Sequence, residues 1–314
     1  MQRLLYSLLF LAASFAFAQN TTPEQKPKDS LAFWTKKNKI GLDISQITFV
    51  NWNAGGNTSL SGLAHGRFER DYKKDRLQWD NELIVRYGIN KQEGQKTQKT
   101  DDQIQLTSTF GYQQKEKSLW LYSAKFNFNT QLAPGYSYPN RDVAISRLMA
   151  PAYLFLGVGA EYSNKEKKIE WYLSPVTQKS TFVLNQRLAD KGAYGVEKAE
   201  YDVDGNVIRK GKKSRNEIGF LITNHWEKEV FTNIFLDHRL SLYSDYLNNF
   251  GNIDVDWRFE FELKVNKYVR ATIGNHIIYD DDIKTTKEFN GEEIERGPKI
   301  QLKQMLTVGM VYNF

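Results

Sequence analysis

The chain has 314 residues with 43 basic residues, 37 acidic residues and no cysteine, and its mean hydropathy is −0.58. The lack of cysteine excludes an acylated lipoprotein and a disulfide-stabilised secreted domain. The net charge of +6 is too small and too dispersed for the basic face of a nucleic-acid-binding protein, so nucleic acid is not expected as a partner.

The first 18 residues have the order of a secretory signal peptide. Arg3 precedes an apolar stretch over residues 4–15, and the small residues Ala16 and Ala18 mark a cleavage site. Residues 1–18 are therefore predicted to be a signal peptide. A spanning helix is the alternative, but this stretch is shorter than the ~20 residues that such a helix needs, and no later stretch reaches that length.

Residues 19–38 are polar and contain Pro23 and Pro27 ahead of Phe33 and Trp34. This composition predicts a periplasmic N-terminal segment. It is either a flexible lead or a plug that buries the two aromatic side chains in the mouth of a barrel.

From Lys39 onward, apolar and polar residues alternate. In residues 77–89 the odd positions include Trp79 and Val85, whereas Asp80 and Arg86 occupy even positions, and residues 253–265 repeat this order. Only a strand sorts a period of two onto opposite faces, because a helix repeats every 3.6 residues. Such runs predict about twelve strands, near residues 40–49, 57–71, 77–90, 102–114, 119–131, 152–162, 168–178, 214–226, 230–243, 252–265, 268–279 and 299–313.

The predicted strands indicate an all-β fold, a transmembrane antiparallel up-and-down β-barrel over residues 39–314. Many runs reach the ~9 to 11 residues that a tilted strand needs to cross a bilayer. Short charged connections alternate with long ones, as in barrels with short periplasmic turns and longer extracellular loops, and an even strand number puts both termini in the periplasm. A soluble sandwich, the alternative, needs neither feature.

Two connections have recognisable composition. Trp52, Gly55, Gly56 and Asn57 predict the turn of the first hairpin, because glycine and asparagine tolerate positive φ and no Lys-Ser or Lys-Thr follows as in a phosphate-binding loop. Residues 141–149 contain four apolar side chains and predict either a short helical turn over the barrel mouth or a disordered rim loop.

Charged residues occupy the faces opposite the apolar ones, and a barrel turns these faces toward its lumen. Both signs are interspersed, so the interior is either an ion-pair network that closes the lumen or a narrow pathway for a small polar solute. The candidate lumen residues are Arg67, Glu69, Asp80, Glu82, Arg86, Lys125, Asp237, Arg239, Asp254, Asp256, Arg258, Glu260 and Glu262. The excess of acids over residues 252–265 favours the pathway.

The sequence gives little support for catalysis. Its four histidines, His65, His225, His238 and His276, do not have the spacing of a helical zinc site, and no Gly-x-Ser-x-Gly elbow occurs. His238 lies on an apolar face, where a lipid hydrolase would need it, but no serine partner is identified. We predict no enzyme activity, no metal site and no cofactor.

The chain ends with Leu306, Val308, Met310, Tyr312 and Phe314 on one strand face. This run resembles the C-terminal signal that outer-membrane barrels present to the barrel-insertion machinery. As the last strand it also has to pair with the first, because an open edge in lipid leaves backbone groups without partners.

The sequence also resembles a known family. Trp34, "NWNAGG" at 51–56, "NTSLSG" at 57–62 and "ISRLMAPAYLFLGVGAEY" at 145–162 are similar to an uncharacterised group of Bacteroidota envelope proteins, domain of unknown function 3078. "GGNTSL" is also similar to the start of a salt-induced outer-membrane barrel family. Both resemblances imply a Gram-negative outer-membrane β-barrel, and neither implies a reaction.

The prediction is therefore an integral outer-membrane barrel that acts as a narrow passive channel for small polar solutes. A non-conducting structural or docking barrel of an envelope assembly or secretion complex is the first alternative, and a lipid-modifying enzyme is the second. The expected partners are outer-membrane lipids, the barrel-insertion machinery and other envelope proteins.

Overall fold

The computed structural model describes residues 33–48, 58–248, 250–289 and 292–314. The chain divides into two compact units, 1–34 and 35–314, and only Phe33 and Trp34 of the first unit are described. The predicted signal peptide lies outside the described residues, as does most of segment 19–38. The predicted hairpin turn at Trp52, Gly55, Gly56 and Asn57 also lies outside them.

The structure is built almost entirely from strands, which we number in chain order. They are β1 (Trp34–Ile47), β2 (Ser59–Lys74), β3 (Leu77–Gln92), β4 (Gln98–Gln113), β5 (Trp120–Thr130), β6 (Gly135–Tyr136), β7 (Ala144–Ser146), β8 (Ala152–Asn164), β9 (Ile169–Phe182), β10 (Glu200–Tyr201), β11 (Val207–Arg209), β12 (Ser214–Phe231), β13 (Ile234–Asp245), β14 (Asp254–Lys264), β15 (Val269–Tyr279), β16 (Lys284–Phe289), β17 (Glu292–Pro298) and β18 (Gln301–Asn313).

Twelve of these strands form one closed antiparallel barrel, which confirms the predicted fold class. Around the barrel the order is β1, β18, β15, β14, β13, β12, β9, β8, β5, β4, β3 and β2. The barrel is closed by β1 and β18, which pair Ile40 with Tyr312 and Leu42 with Met310. The closure gives every barrel strand two neighbours, so that no strand edge is left without backbone partners. Because β1 begins at Trp34, the first strand also starts earlier than the predicted boundary at residue 39.

The outer surface of the barrel is apolar. The side chains of Phe110, Leu156, Val158 and Leu306 are 48%, 52%, 57% and 73% exposed, and many other large hydrophobic side chains lie outward in the same way. A soluble protein rarely exposes a contiguous apolar surface of this extent, whereas a lipid-facing barrel wall requires it.

The connections are sorted between the two ends of the barrel. Short ones at 75–76, 114–119, 165–168, 232–233 and 265–268 lie at one end, which we call the turn end. The other connections lie at the other end, the loop end, and all of them except the five residues at 93–97 are longer than the turn-end connections. The three remaining strand pairs, β6–β7, β10–β11 and β16–β17, are small two-stranded sheets within the long connections.

Residues 141–149 form neither of the structures predicted for them. Ala144–Ser146 is strand β7 and pairs with Gly135–Tyr136, so the backbone finds partners within the same β5–β8 connection. The hydrophobic pattern within residues 141–149 could not show this pairing, because the partner strand lies outside this stretch, at Gly135–Tyr136.

The connection between β9 and β12 is also folded. It contains a short helix, α1 (Gln186–Asp190), in which the backbone N–H of Leu188 donates to the Asn185 side chain over 3.2 Å as an N-terminal cap. Leu188 and Ala189 pack with Ala150, Val183 and Val196 in a small hydrophobic core. Among the residues that the structure describes, no helix is long and apolar enough to span a bilayer.

Candidate site in the barrel lumen

Ion pairs connect opposite walls of the barrel. Arg239 on β13 donates two hydrogen bonds to Glu82 on β3, from Nη1 to Oε2 over 2.7 Å and from Nη2 to Oε1 over 3.0 Å. In the strand order these two strands are six positions apart in either direction. The two side chains therefore meet across the barrel, and the lumen at this level is no wider than an arginine and a glutamate placed end to end.

Two further contacts join opposite strands. Arg67 on β2 donates to Glu227 on β12 over 2.7 Å, and Arg258 on β14 donates to Gln105 on β4 over 3.1 Å. Each of these strand pairs is also six positions apart around the barrel. We call the three contacts, Glu82–Arg239, Arg67–Glu227 and Gln105–Arg258, the transverse bridges. They consist of side chains alone.

The first two bridges share partners and form one cluster. Arg67 also contacts Glu82, and its Nη1 lies 3.5 Å from Asp237 Oδ2. The ring of His225 lies within this cluster, with Nε2 3.2 Å from Asp237 and 3.6 Å from Glu227. Each charged group of the cluster thus has a partner of opposite charge. Charges that are removed from bulk water need such partners to offset their loss of hydration.

A polar cavity of about 360 Å³ lies next to the transverse bridges. It reaches from Gln131 and Pro151, near the loop end, to Arg67, Asp237 and Arg239. Its other lining residues carry both signs, among them Arg86, Asp101, Glu260, Glu262, Arg270 and Lys303. A cavity of this size holds about a dozen water molecules or a small polar solute.

The lining charges of the cavity are paired with each other. Arg86 Nε lies 3.0 Å from Asp101, and its Nη1 lies 3.4 Å from Glu260. Glu262 accepts from Arg270 over 2.6 Å and from Lys39 over 2.7 Å. A solute that enters the cavity therefore meets hydrogen-bond donors and acceptors of both signs.

The remaining candidates from the sequence also have polar partners, which are charged for all of them except Lys125. Glu69 accepts from Lys37 over 2.9 Å, and Asp80 accepts from Lys165 over 2.9 Å. Asp254 accepts from Lys179 over 2.6 Å, Asp256 contacts Arg258 and His276, and Lys125 lies 3.3 Å from the hydroxyl of Thr223. The structure thus brings most of these candidates into one network of lumen charges.

Lys165 belongs to the short β8–β9 connection at the turn end. Burial opposes its positive charge, but the carboxylates of Glu170 and Asp80 outweigh this effect and raise the pKa of the Lys165 ammonium above its usual range. Lys165 therefore stays charged at any physiological pH and links the turn end to the lumen network.

Several lumen residues were missing from the sequence prediction. Lys39, Asp43, His65, Asp101, Lys179, Glu217, His225, Arg270, His276 and Lys303 all make ion-pair contacts with lumen residues. For some of them the alternation along a strand was an available signal. His65 and Arg67 are two residues apart on β2 and therefore lie on the same face of the strand. The ring of His238, on the opposite face of β13 from Asp237 and Arg239, lies 6.0 Å from that of Trp257.

Within the described part of the chain, two groups have ligand atoms close enough together to suit a cation. They are His225 with Glu227 and Asp237, and Asp254 with Asp280, Asp281 and Asp282. Arg67 contacts both carboxylates of the first group, while Lys179 and Arg215 contact three aspartates of the second. In the first group two arginines, Arg67 and Arg239, thus balance the two carboxylates. The second group has four aspartates against two contacting cations and keeps a net negative charge.

A family profile described as "Protein of unknown function (DUF3078)" matches residues 44–136, which confirms the resemblance predicted from the sequence over that part of the chain. No curated protein matches the sequence.

The solved structures that are similar to this chain include a channel, an autotransporter domain and a porin. The COG4313 outer membrane channel from Pseudomonas putida F1 is 15% identical, with a TM-score of 0.40 over 93% of this chain and 100% of that one. The translocator domain of the autotransporter NalP from Neisseria meningitidis is 8% identical, with a TM-score of 0.36 over 100% and 96%. The NanC porin is also 8% identical, with a TM-score of 0.35 over 88% and 97%.

Proposed function

We propose that this chain is an outer-membrane β-barrel that acts as a narrow passive channel for small polar solutes. The observation that carries the proposal is a closed twelve-stranded barrel with an apolar outer wall and a charged lumen that contains a cavity. An apolar outer wall is stable in contact with lipid tails, and a charged lumen is stable in contact with water and ions. By the same pattern, the turn end and both chain termini face the periplasm.

The transverse bridges set the resistance of this channel. They narrow the lumen to side-chain width, and each of them is made of side chains, whose rotamers can change without movement of the strands. A solute with polar groups can replace one partner of a bridge at a time, whereas an apolar solute would leave both charges unpaired. The channel should therefore be slow and selective for small polar molecules.

Conductance tests the proposal directly. Purified protein in planar bilayers should produce discrete current steps that are much smaller than those of a 16-stranded porin, because its lumen is narrower and is crossed by ion pairs. Stable insertion, shown by vesicle flotation and protease protection, without any current steps would contradict the channel.

A non-conducting barrel is the second candidate, and the transverse bridges are the observation that favours it. If all three bridges remain closed, the lumen is sealed and the protein serves as a docking or assembly component of the envelope. Vesicle swelling separates the candidates, since a sealed barrel gives no swelling with any small polar solute.

We further propose that the barrel is not an enzyme. His238, the residue best placed for lipid chemistry, has its ring against Trp257 on the neighbouring strand β14, a contact that accounts for it as a packing residue. Phospholipid incubated with the purified barrel should remain intact, and release of fatty acid that is lost in H238A would contradict this.

The C-terminal strand is proposed to be recognised by the barrel-insertion machinery. Leu306, Val308, Met310 and Tyr312 on β18, and Phe314 directly after it, are between 54% and 73% exposed. The rings of Tyr312 and Phe314 stack with centroids 5.6 Å apart, which makes one aromatic surface at the chain end.

Removal of this aromatic surface should impair assembly in cells. We expect F314S to lower the amount of folded barrel in the outer membrane severalfold, measured as the heat-modifiable band on gels, while refolding into pure lipid in vitro is nearly unchanged. V265S, a change of another exposed apolar residue at the turn end, is the control. Equal assembly of F314S and wild type would contradict the role of the signal.

A further inference from the structure

The turn end of the barrel carries a dense ring of positive charge. The end of β2 and the connection after it present Lys73, Lys74 and Arg76, and the β8–β9 connection presents Lys165, Lys167 and Lys168, all of them exposed. The other exposed cations at this end are Lys36 and Lys37 at the start of β1, Lys115 and Lys117, Lys228, and Lys264 and Lys267. We call these thirteen residues the basic rim.

Acidic residues balance only part of the basic rim: carboxylates of the barrel strands pair with Lys37, Lys165 and Lys168, and few exposed acidic residues accompany the rim cations. The same six segments expose only Asp75, Glu116, Glu166 and Glu229, which leaves an excess of nine positive charges. The whole chain has an excess of only six, so the rest of the molecule holds more acidic than basic residues. The positive charge of this protein is therefore concentrated at one end of the barrel.

The rim is continuous around the barrel. Each short connection has at least one exposed lysine either within it or in the last four residues of the strand before it, and β1 contributes two near its beginning. A protein partner that docks on one side of the rim would need a patch, not a ring. A ring is the distribution that matches a partner surrounding the barrel on all sides, which is the bilayer.

Aromatic side chains place the rim at the depth of the lipid headgroups. Outward-facing rings lie within a few residues of the rim lysines and are between 41% and 54% exposed: Trp79, Tyr112, Trp120, Trp171, Tyr268 and Tyr312. Tryptophan and tyrosine are enriched at the membrane–water interface, because their rings combine an apolar surface with a polar N–H or O–H group. The ammonium of Lys267 lies 4.7 Å from the ring centre of Tyr268, so cation and interfacial ring are directly adjacent.

We propose that the basic rim binds the headgroups of anionic phospholipids in the leaflet at the turn end, such as phosphatidylglycerol. Each lysine near an anionic lipid surface strengthens attraction by about fivefold at low salt. The rim would thus gather a shell of anionic lipid around the barrel and fix its depth in the membrane. This inference rests on the membrane placement proposed above.

Native mass spectrometry of the full-length barrel tests the inference. The protein is purified in a mild detergent with equal amounts of phosphatidylethanolamine and phosphatidylglycerol, and the lipids that remain bound are counted. Wild type should retain phosphatidylglycerol in preference to phosphatidylethanolamine by about fivefold or more. The preference should fall toward unity as salt shortens the reach of the charges.

Matched variants locate the effect. K73Q/K115Q/K167Q/K264Q removes one exposed lysine from each of four rim segments, and K191Q/K198Q/K210Q/K213Q removes four exposed lysines from the loop end. The rim variant should lose most of the preference, and the loop-end variant should keep it. Equal retention of the two lipids by wild type would overturn the inference, and so would an equal loss of the phosphatidylglycerol preference in both variants. If a variant fails to fold, the salt dependence of the wild-type preference still tests the inference.

The failure of this inference and of the proposed function can be told apart. A protein that does not insert into vesicles at all contradicts the membrane placement and, with it, both proposals. A protein that inserts and conducts but shows no lipid preference contradicts the rim alone, and an acidic periplasmic protein would then be the better match for its charge.

Discussion

The double variant E82A/R239A should conduct severalfold more current per channel than the wild type. Glu82 and Arg239 form a bidentate bridge between strands on opposite sides of the barrel, so removing both side chains opens the lumen at this transverse bridge. Single-channel recording in planar bilayers measures the change. In vesicle swelling, solutes that are too large for the wild type should enter through the variant.

A matched control is available in the loops. Arg209 and Glu200 form an ion pair of the same residue types, at 2.6 Å, between the small strands β10 and β11. R209A/E200A should leave conductance unchanged and shift the free energy of unfolding by no more than about 1 kcal/mol, because both side chains are half exposed. An unchanged conductance of E82A/R239A would refute the transverse bridge as the constriction.

Stability should distinguish the double variant from its single parents. E82A leaves Arg239 in the lumen with Asp237 as its remaining close carboxylate, at 3.2 Å, and should destabilise the barrel by about 3 kcal/mol. E82A/R239A removes both charges and should lose less. Unfolding in urea, followed by tryptophan fluorescence, gives this comparison.

The barrel could be predicted from the sequence because alternation is a local property. The run at 77–90 became β3 (Leu77–Gln92) and the run at 252–265 became β14 (Asp254–Lys264), each within a few residues. The side-chain period of two holds whatever the rest of the chain does. The closure of the barrel could also be predicted, since an open strand edge would leave backbone groups without partners in lipid.

The pairing of the lumen charges could not be predicted in this way. Parity placed Glu82 and Arg239 on inward faces, but they are 157 positions apart, and their contact depends on how many strands close the barrel and how far these are staggered. The small sheets in the loops were missed for a related reason. Strand β7 is defined by its partner β6 and not by its own three residues.

The variant G309V should prevent the barrel from closing. Gly309 on β18 is paired with Asp43 on β1, at the seam where the last strand meets the first. A Cβ atom at this position would lie 2.6 Å from the carbonyl oxygen of Leu42 and 2.7 Å from the Cα atom of Asp43, and it would also strike the Asp43 carboxylate. Two of these neighbours are backbone atoms, so the seam itself would have to separate.

G62V is the matched control, because a Cβ atom at Gly62 on β2 would meet no atom within 4 Å. On gels without boiling, G62V should migrate as the compact folded form, and G309V should migrate largely as the unfolded form after refolding in detergent. The expected difference arises at the seam between β1 and β18. A barrel that is not closed leaves backbone N–H and C=O groups of both strands unpaired in lipid, which costs several kcal/mol of free energy for each group. A fully folded G309V barrel would show that the β1–β18 register can shift, and the closure of the barrel at Asp43 and Gly309 would then have to be abandoned.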